Sequence, residues 1–110
     1  MSQTELQKER ATINAQACQK AARIICRATG RPIAHYSGKS RNQELVAFRC
    51  LFVYIAVECG ASFVAAGKAI GRSHATAIYN YSVYCNQSAS WQPLRILRDK
   101  VQALQESQPD

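Results

Sequence analysis

The sequence predicts an all-α helical bundle carrying a helix-turn-helix, and three observations lead there. Hydrophobic residues make up 47% of the 110 positions and charged ones 19%, the composition of a globular chain with a core to bury. Five glycines and three prolines are few, and β-branched residues do not dominate, so propensity favours helix over strand. Apolar residues recur at helical spacing through most of the chain, and glycines fall between the periodic segments. At this length one domain is expected over residues 1–110, frayed at 1–5 and 106–110.

Each element follows from its own signals. Thr4 to Ala28 holds Leu6, Ile13, Ala17, Ala21, Ile24 and Ala28 in one stripe, with Gly30 placed to stop the helix. After Arg31-Pro32, Ile33, Ala34 and Tyr36 are expected to form a single turn, and Ser37 to Asn42 is a polar, basic loop. From about Gln43 to Cys59 the chain is apolar almost all round, the pattern of a central helix covered on several sides, and Gly60 ends it. Ser62 is placed to cap a helix from Phe63 to Ile70 with a small interior: Ala65, Ala66, Gly67 and Ala69. Gly71 breaks that helix. Ser73 caps the next, running to about Cys85 with Ala77, Ile78, Tyr81 and Tyr84 expected inward. Two short helices across a glycine turn, the first small enough for close approach, make a helix-turn-helix at about residues 62–85.

Beyond the polar stretch Asn86–Ser90, Pro93 stands where a first helical residue belongs, and Leu94, Leu97, Val101 and Leu104 form the stripe of a closing helix. As a coiled-coil seam this stripe is too short to hold two chains, since stable seams run about three or four heptads. It is therefore expected to pack within the chain, against the Ile78, Tyr81 and Tyr84 face, leaving a monomer.

Charge narrows the function. Fourteen Lys and Arg stand against seven Asp and Glu, a net +7. Between Arg10 and Arg98 the only acids are Glu44 and Glu58, set against twelve basic residues, so that stretch carries 12 − 2 = +10. Such a field attracts polyanions, nucleic acid before an anionic membrane. Nine of the fourteen are Arg, whose planar fork suits phosphates and guanine edges. Met1–Arg10 is polar and mixed in charge, so no secretory or transit segment is expected there. The longest apolar run, Leu45–Val57, is broken by Arg49 and falls short of the about 18 residues of a membrane span. Five cysteines form no C-x-x-C pair, and neither His35 nor His74 stands at a zinc-finger interval from two of them. Buried free thiols in a reducing cytoplasm are expected, with neither metal nor cofactor.

Catalysis finds little to work with. Gly38-Lys39-Ser40 looks like the end of a phosphate-binding loop, but the first glycine that motif requires falls at Ile33, and no apolar strand precedes it. Cys50 and Cys59 lie in the apolar helix and read as packing, and Glu44 and Glu58 are the only carboxylates in the basic body. No enzyme is expected. The informative run is Gly71-Arg72-Ser73-His74-Ala75-Thr76-Ala77-Ile78, at the start of the second helix of the pair. That end of a recognition helix meets base edges in the major groove. Arg72 suits a phosphate or a guanine, Ser73, His74 and Thr76 offer short directional hydrogen bonds, and Ala75 and Thr76 can pack methyls on thymine. A capping role for His74 and an ordinary exposed position for Thr76 are the competing readings.

These residues resemble a family. Ser62 to Tyr84 is similar to the C-terminal DNA-binding domain of the bacterial replication initiator DnaA, whose signature G-G-R-D-H-T-T-V stands here as Ile70-Gly71-Arg72-Ser73-His74-Ala75-Thr76-Ala77. The likeness extends back through the apolar helix with Arg49 to the basic loop Lys39-Ser40-Arg41, and Ile13 to Leu104 can be laid on that domain. The resemblance implies a Trp-repressor-like bundle that binds a short duplex box. It implies Arg41 in the minor groove, Arg72, Ser73, His74, Ala75 and Thr76 in the major groove, and Arg49 and Lys68 toward phosphates, with Lys39 of the basic loop also counted among the DNA-binding residues. Ser73 replaces the family's Asp and Ala75 its first Thr, which implies a different preferred box, while Ile70 in place of the first glycine implies an altered turn.

The expectation is a stand-alone, sequence-specific double-stranded DNA-binding protein with a DnaA-like reading head and no ATPase, nucleoid-associated in the cytoplasm. It is expected to regulate transcription, in a phage or mobile element. The alternatives are a DNA-replication modulator occupying initiator boxes, and an adaptor whose Tyr79, Val83 and Leu94–Leu104 stripe engages RNA polymerase or another regulatory protein.

Overall fold

Capping side chains and glycine turns divide the chain into six helices in the computed structural model, which describes residues 3–107. These are α1 (Gln3–Thr29), α2 (Ile33–Tyr36), α3 (Gln43–Glu58), α4 (Phe63–Ala69), α5 (His74–Gln87) and α6 (Gln92–Ser107). Among the described residues there is no strand, and no helix is long and apolar enough to cross a membrane. Three of the starts carry side-chain caps, two of them the expected serines. Asn42 Oδ1 accepts from the Glu44 N–H at 2.8 Å, Ser62 Oγ from Ala65 at 3.1 Å and Ser73 Oγ from Thr76 at 3.3 Å. Each bond satisfies a backbone donor that the first turn of a helix leaves without a partner.

The all-round apolar segment is the hub. α3 buries Phe48, Cys50, Leu51, Phe52, Val53 and Ala56, and every other helix packs on it. α1 lays Ala17, Ala21 and Ile25 into this core, and α6 adds Leu94, Leu97 and Val101. Fully burying a side chain of the size of Leu94 is worth ~1.5–3 kcal/mol. α2 contributes Tyr36, whose ring stacks on Phe48 at 5.3 Å between centroids. At the far end of α3, Tyr54 stacks on Tyr84 at 3.9 Å, and the Tyr81 hydroxyl donates to Glu58 at 2.5 Å.

Several expectations are corrected. α1 begins at Gln3 and α6 runs through Ser107, so helix reaches into the segments expected to fray; residues 1, 2 and 108–110 lie outside the described residues. α5 runs two residues past Cys85. In α1 the buried isoleucine is Ile25, Ile24 is half-buried, and Leu6 and Ile13 lie exposed, Ile13 beside the Gly60 turn. The α6 stripe is intramolecular, but it rests on α3 and α1 and barely touches α5. Ile78, expected inward, is 47% exposed, and the inner face of α5 is Ala77, Asn80 and Val83. Asn80 is buried with its side-chain oxygen accepting from the Cys50 thiol of α3 at 3.9 Å, while its amide nitrogen finds no partner among the described residues. Of the cysteines only Cys50 is fully buried, while Cys26 and Cys85 are exposed; all five are free.

Candidate nucleic-acid interface

α4 and α5 pack directly on each other across the turn Ile70–Ser73, and the close approach depends on two glycines. Gly71 has φ +70, the left-handed conformation that ends a helix. Around it the Arg72 N–H donates to the Gly67 carbonyl at 2.8 Å and the Gly71 N–H to Lys68 at 3.1 Å, the paired bonds of a Schellman motif. Gly67 faces the returning chain: a Cβ there would meet the Arg72 and Ser73 carbonyl oxygens at 2.8 Å each. Ile70 needs no glycine conformation. Its φ of −111 lies in ordinary space and its side chain is fully buried, so Ile70 anchors the turn in the core.

The basic loop is tied to this turn through one backbone atom. The Gly38 carbonyl accepts from Arg72 Nη2 at 2.6 Å and from Arg49 Nη2 at 2.8 Å. Arg49 also donates through Nε to the Tyr36 carbonyl at 2.6 Å. With 5% of its surface exposed, Arg49 lies beneath the loop and cannot face a phosphate as expected; it positions residues 36–38 instead. Burial first, and the neighbouring Arg72 charge second, lower its pKa from the ordinary arginine value. Arg72 is half-buried and also donates to the Gly71 carbonyl at 3.2 Å, so its guanidinium is turned toward the loop. Lys39 and Arg41, by contrast, are exposed, with Arg41 held between Ser40 and Asn42, whose side chains shape the entrance to α3. Lys68 is exposed at the end of α4.

At the start of α5, Ser73 Oγ donates to Thr76 Oγ1 at 3.2 Å while accepting from the Thr76 amide, so both hydroxyls are engaged in the cap. Thr76 is half-buried, and His74 and Ala75 are exposed. Beyond them on the same open side lie Ile78 and Tyr79, the latter 65% exposed. Both were missing from the expected set of contacts. Their outward rotation follows from an inner face of Ala77, Asn80 and Val83, which depends on Asn80 turning inward. α5 carries no Lys, Arg, Asp or Glu, so its exposed face offers apolar and neutral hydrogen-bonding groups, while the positive charge stands beside it on the loop, Lys68 and Arg72. Of the residues expected to engage a partner protein, Val83, Leu94, Leu97 and Val101 are buried, Leu104 is half-buried and Tyr79 is exposed. Among the described residues no three His, Cys, Asp or Glu gather as metal ligands. No protein-family model matches the chain, and no curated protein or solved structure matches it.

Proposed function

We propose that this protein binds duplex DNA sequence-specifically and regulates transcription by occupying its site, with a reading head like that of the DnaA C-terminal domain. α5 enters the major groove by its N-terminal end. There His74 supplies a hydrogen-bonding edge, and Ala75, Ile78 and Tyr79 supply an apolar surface for thymine methyls. Arg41, on the loop ahead of α3, enters the adjacent minor groove, where A·T-rich sequence strengthens the negative potential. Lys39 and Lys68 neutralise phosphates and fix the register.

The observation that carries this reading is the Gly38 carbonyl with its two arginine donors. It fastens a loop with exposed Lys39 and Arg41 against the turn that presents His74, so residues from two distant parts of the chain share one surface. Selection of bound duplexes from a random pool tests it. The expected result is a short box with a preference for A·T pairs on one flank, bound with an affinity that falls steeply with salt. Binding without sequence preference would refute the reading head.

A further inference from the structure

From Arg10 to Gln43 the chain contains Arg10, Lys20, Arg23, Arg27, Arg31, Lys39 and Arg41 and not one acid. The last two belong to the loop already described. Lys20, Arg23 and Arg27 do not: spaced three and four apart, they share one side of α1, where with Ile24 they line a shallow groove against Leu104 and Gln105 of α6. Arg31 follows just beyond the Gly30 turn that ends the helix. All four are exposed, and none of their side chains makes an ion pair or hydrogen bond among the described residues. The cations run up α1, around its end and into the loop that Gly38 fastens to Arg72. In the chain these cations lead directly into that loop, and in space Lys20, Arg23 and Arg27 line a flank of the bundle beside the end of α6.

We propose that Lys20, Arg23, Arg27 and Arg31 form a second, sequence-blind surface for the DNA backbone, which follows the duplex beyond the box read by α5. The inference rests on the duplex-binding reading above. Its ligand chemistry is a row of phosphates. Lys20 to Thr29 spans about 14 Å at ~1.5 Å per residue, which is about four base pairs at the ~3.4 Å rise of a strand, and Arg31 lies just beyond. A membrane surface is the less fitting partner, because an interfacial helix must bury its own apolar face in lipid. The apolar face of α1 is already spent on the core through Ala17, Ala21 and Ile25, and Ile24 is half-buried.

The test compares the wild-type chain with the triple variant Lys20→Gln, Arg23→Gln, Arg27→Gln, which keeps straight-chain stems on an exposed helix face. Binding is measured against salt on duplexes of about 12 and about 30 base pairs carrying the selected box. Three backbone contacts contribute about 2.7 to the salt slope, so between 50 and 200 mM salt the wild type should lose about 40-fold more affinity for the long duplex than the variant does. On the short duplex the two should agree, and the order of preference among boxes should not change. An unchanged slope on the long duplex would overturn the proposal, as would an equal loss on both lengths. It would also fall if the triple substitution abolished binding to phosphatidylserine vesicles and left the duplex slope intact. Should the wild type bind every sequence equally while the variant still loses slope on long duplexes, the reading head would fail and the flank surface would stand.

Discussion

Gly67→Ala is the substitution on which the helix-turn-helix geometry makes a prediction opposite in sign to helix propensity. Alanine in a helix interior is favoured over glycine by ~1 kcal/mol, so propensity alone expects a more stable protein. Against that, the new Cβ lies 2.8 Å from the Arg72 and Ser73 carbonyl oxygens and 3.2 Å from the Ser73 carbonyl carbon. Both oxygens belong to backbone, so no side chain can swing aside. α4 and the turn must part by about 0.6 Å to restore an ordinary 3.4 Å contact, and the Gly67 carbonyl that receives Ile70 and Arg72 moves with them. Overpacking of this kind costs ~1–3 kcal/mol, and two contacts on rigid atoms place it at the upper end. The net expectation is a loss of ~1–2 kcal/mol, or about 5–15 °C in Tm for a domain of this size. Urea unfolding followed by circular dichroism measures it, with Gly38→Ala as control, since a Cβ at Gly38 meets nothing within 4 Å. The control should stay within ~0.5 kcal/mol of wild type. A Gly67→Ala protein as stable as wild type, or more stable, would refute the close crossing of α4 and the turn.

Three further expectations concern the site and the core. His74→Ala should cost ~1–3 kcal/mol on the selected box and little on random duplex, as read by competition binding. Arg41→Ala should weaken binding chiefly where one flank is A·T-rich, and flank-independent loss would make Arg41 a phosphate contact only. Burial pushes the Cys50 thiol up from 9.0 to about 12, so the folded protein keeps a proton that the unfolded chain releases. That contribution is intact below about pH 9 and is lost as pH rises toward 12, at up to ~1.4 kcal/mol per pH unit. Unfolding of Cys50→Ala between pH 9 and 10.5 should therefore show a shallower alkaline decline than wild type.

Much of the fold is legible because its signals are local. Ser62 and Ser73 cap, Gly30, Gly60 and Gly71 stop helices, and α3 is apolar on all sides, so the order and the ends of the elements follow from neighbours in the chain. What the sequence hides is long-range. Asn80 reads as a surface residue until its amide oxygen meets the Cys50 thiol, and once it turns inward Ile78 must turn outward. Arg49 is expected at a phosphate through the resemblance alone, and arginines are in general rarely buried. Its destination depends on carbonyls of Tyr36 and Gly38 that only the folded loop presents. Of the candidate site, Lys39, Arg41, Lys68, His74 and Ala75 are exposed as a binding surface needs, whereas Arg49, Arg72, Ser73 and Thr76 are engaged in building it.

The shared Gly38 acceptor has an evolutionary corollary. A main-chain carbonyl survives every substitution short of deletion, so mutation at position 38 cannot erase the tether; only its two donors are vulnerable. Loop and turn are thus free to vary in their exposed side chains while their relative placement is kept. Losing either arginine should also make later changes in loop and turn depend on one another, a departure from additivity that a double-mutant cycle would register.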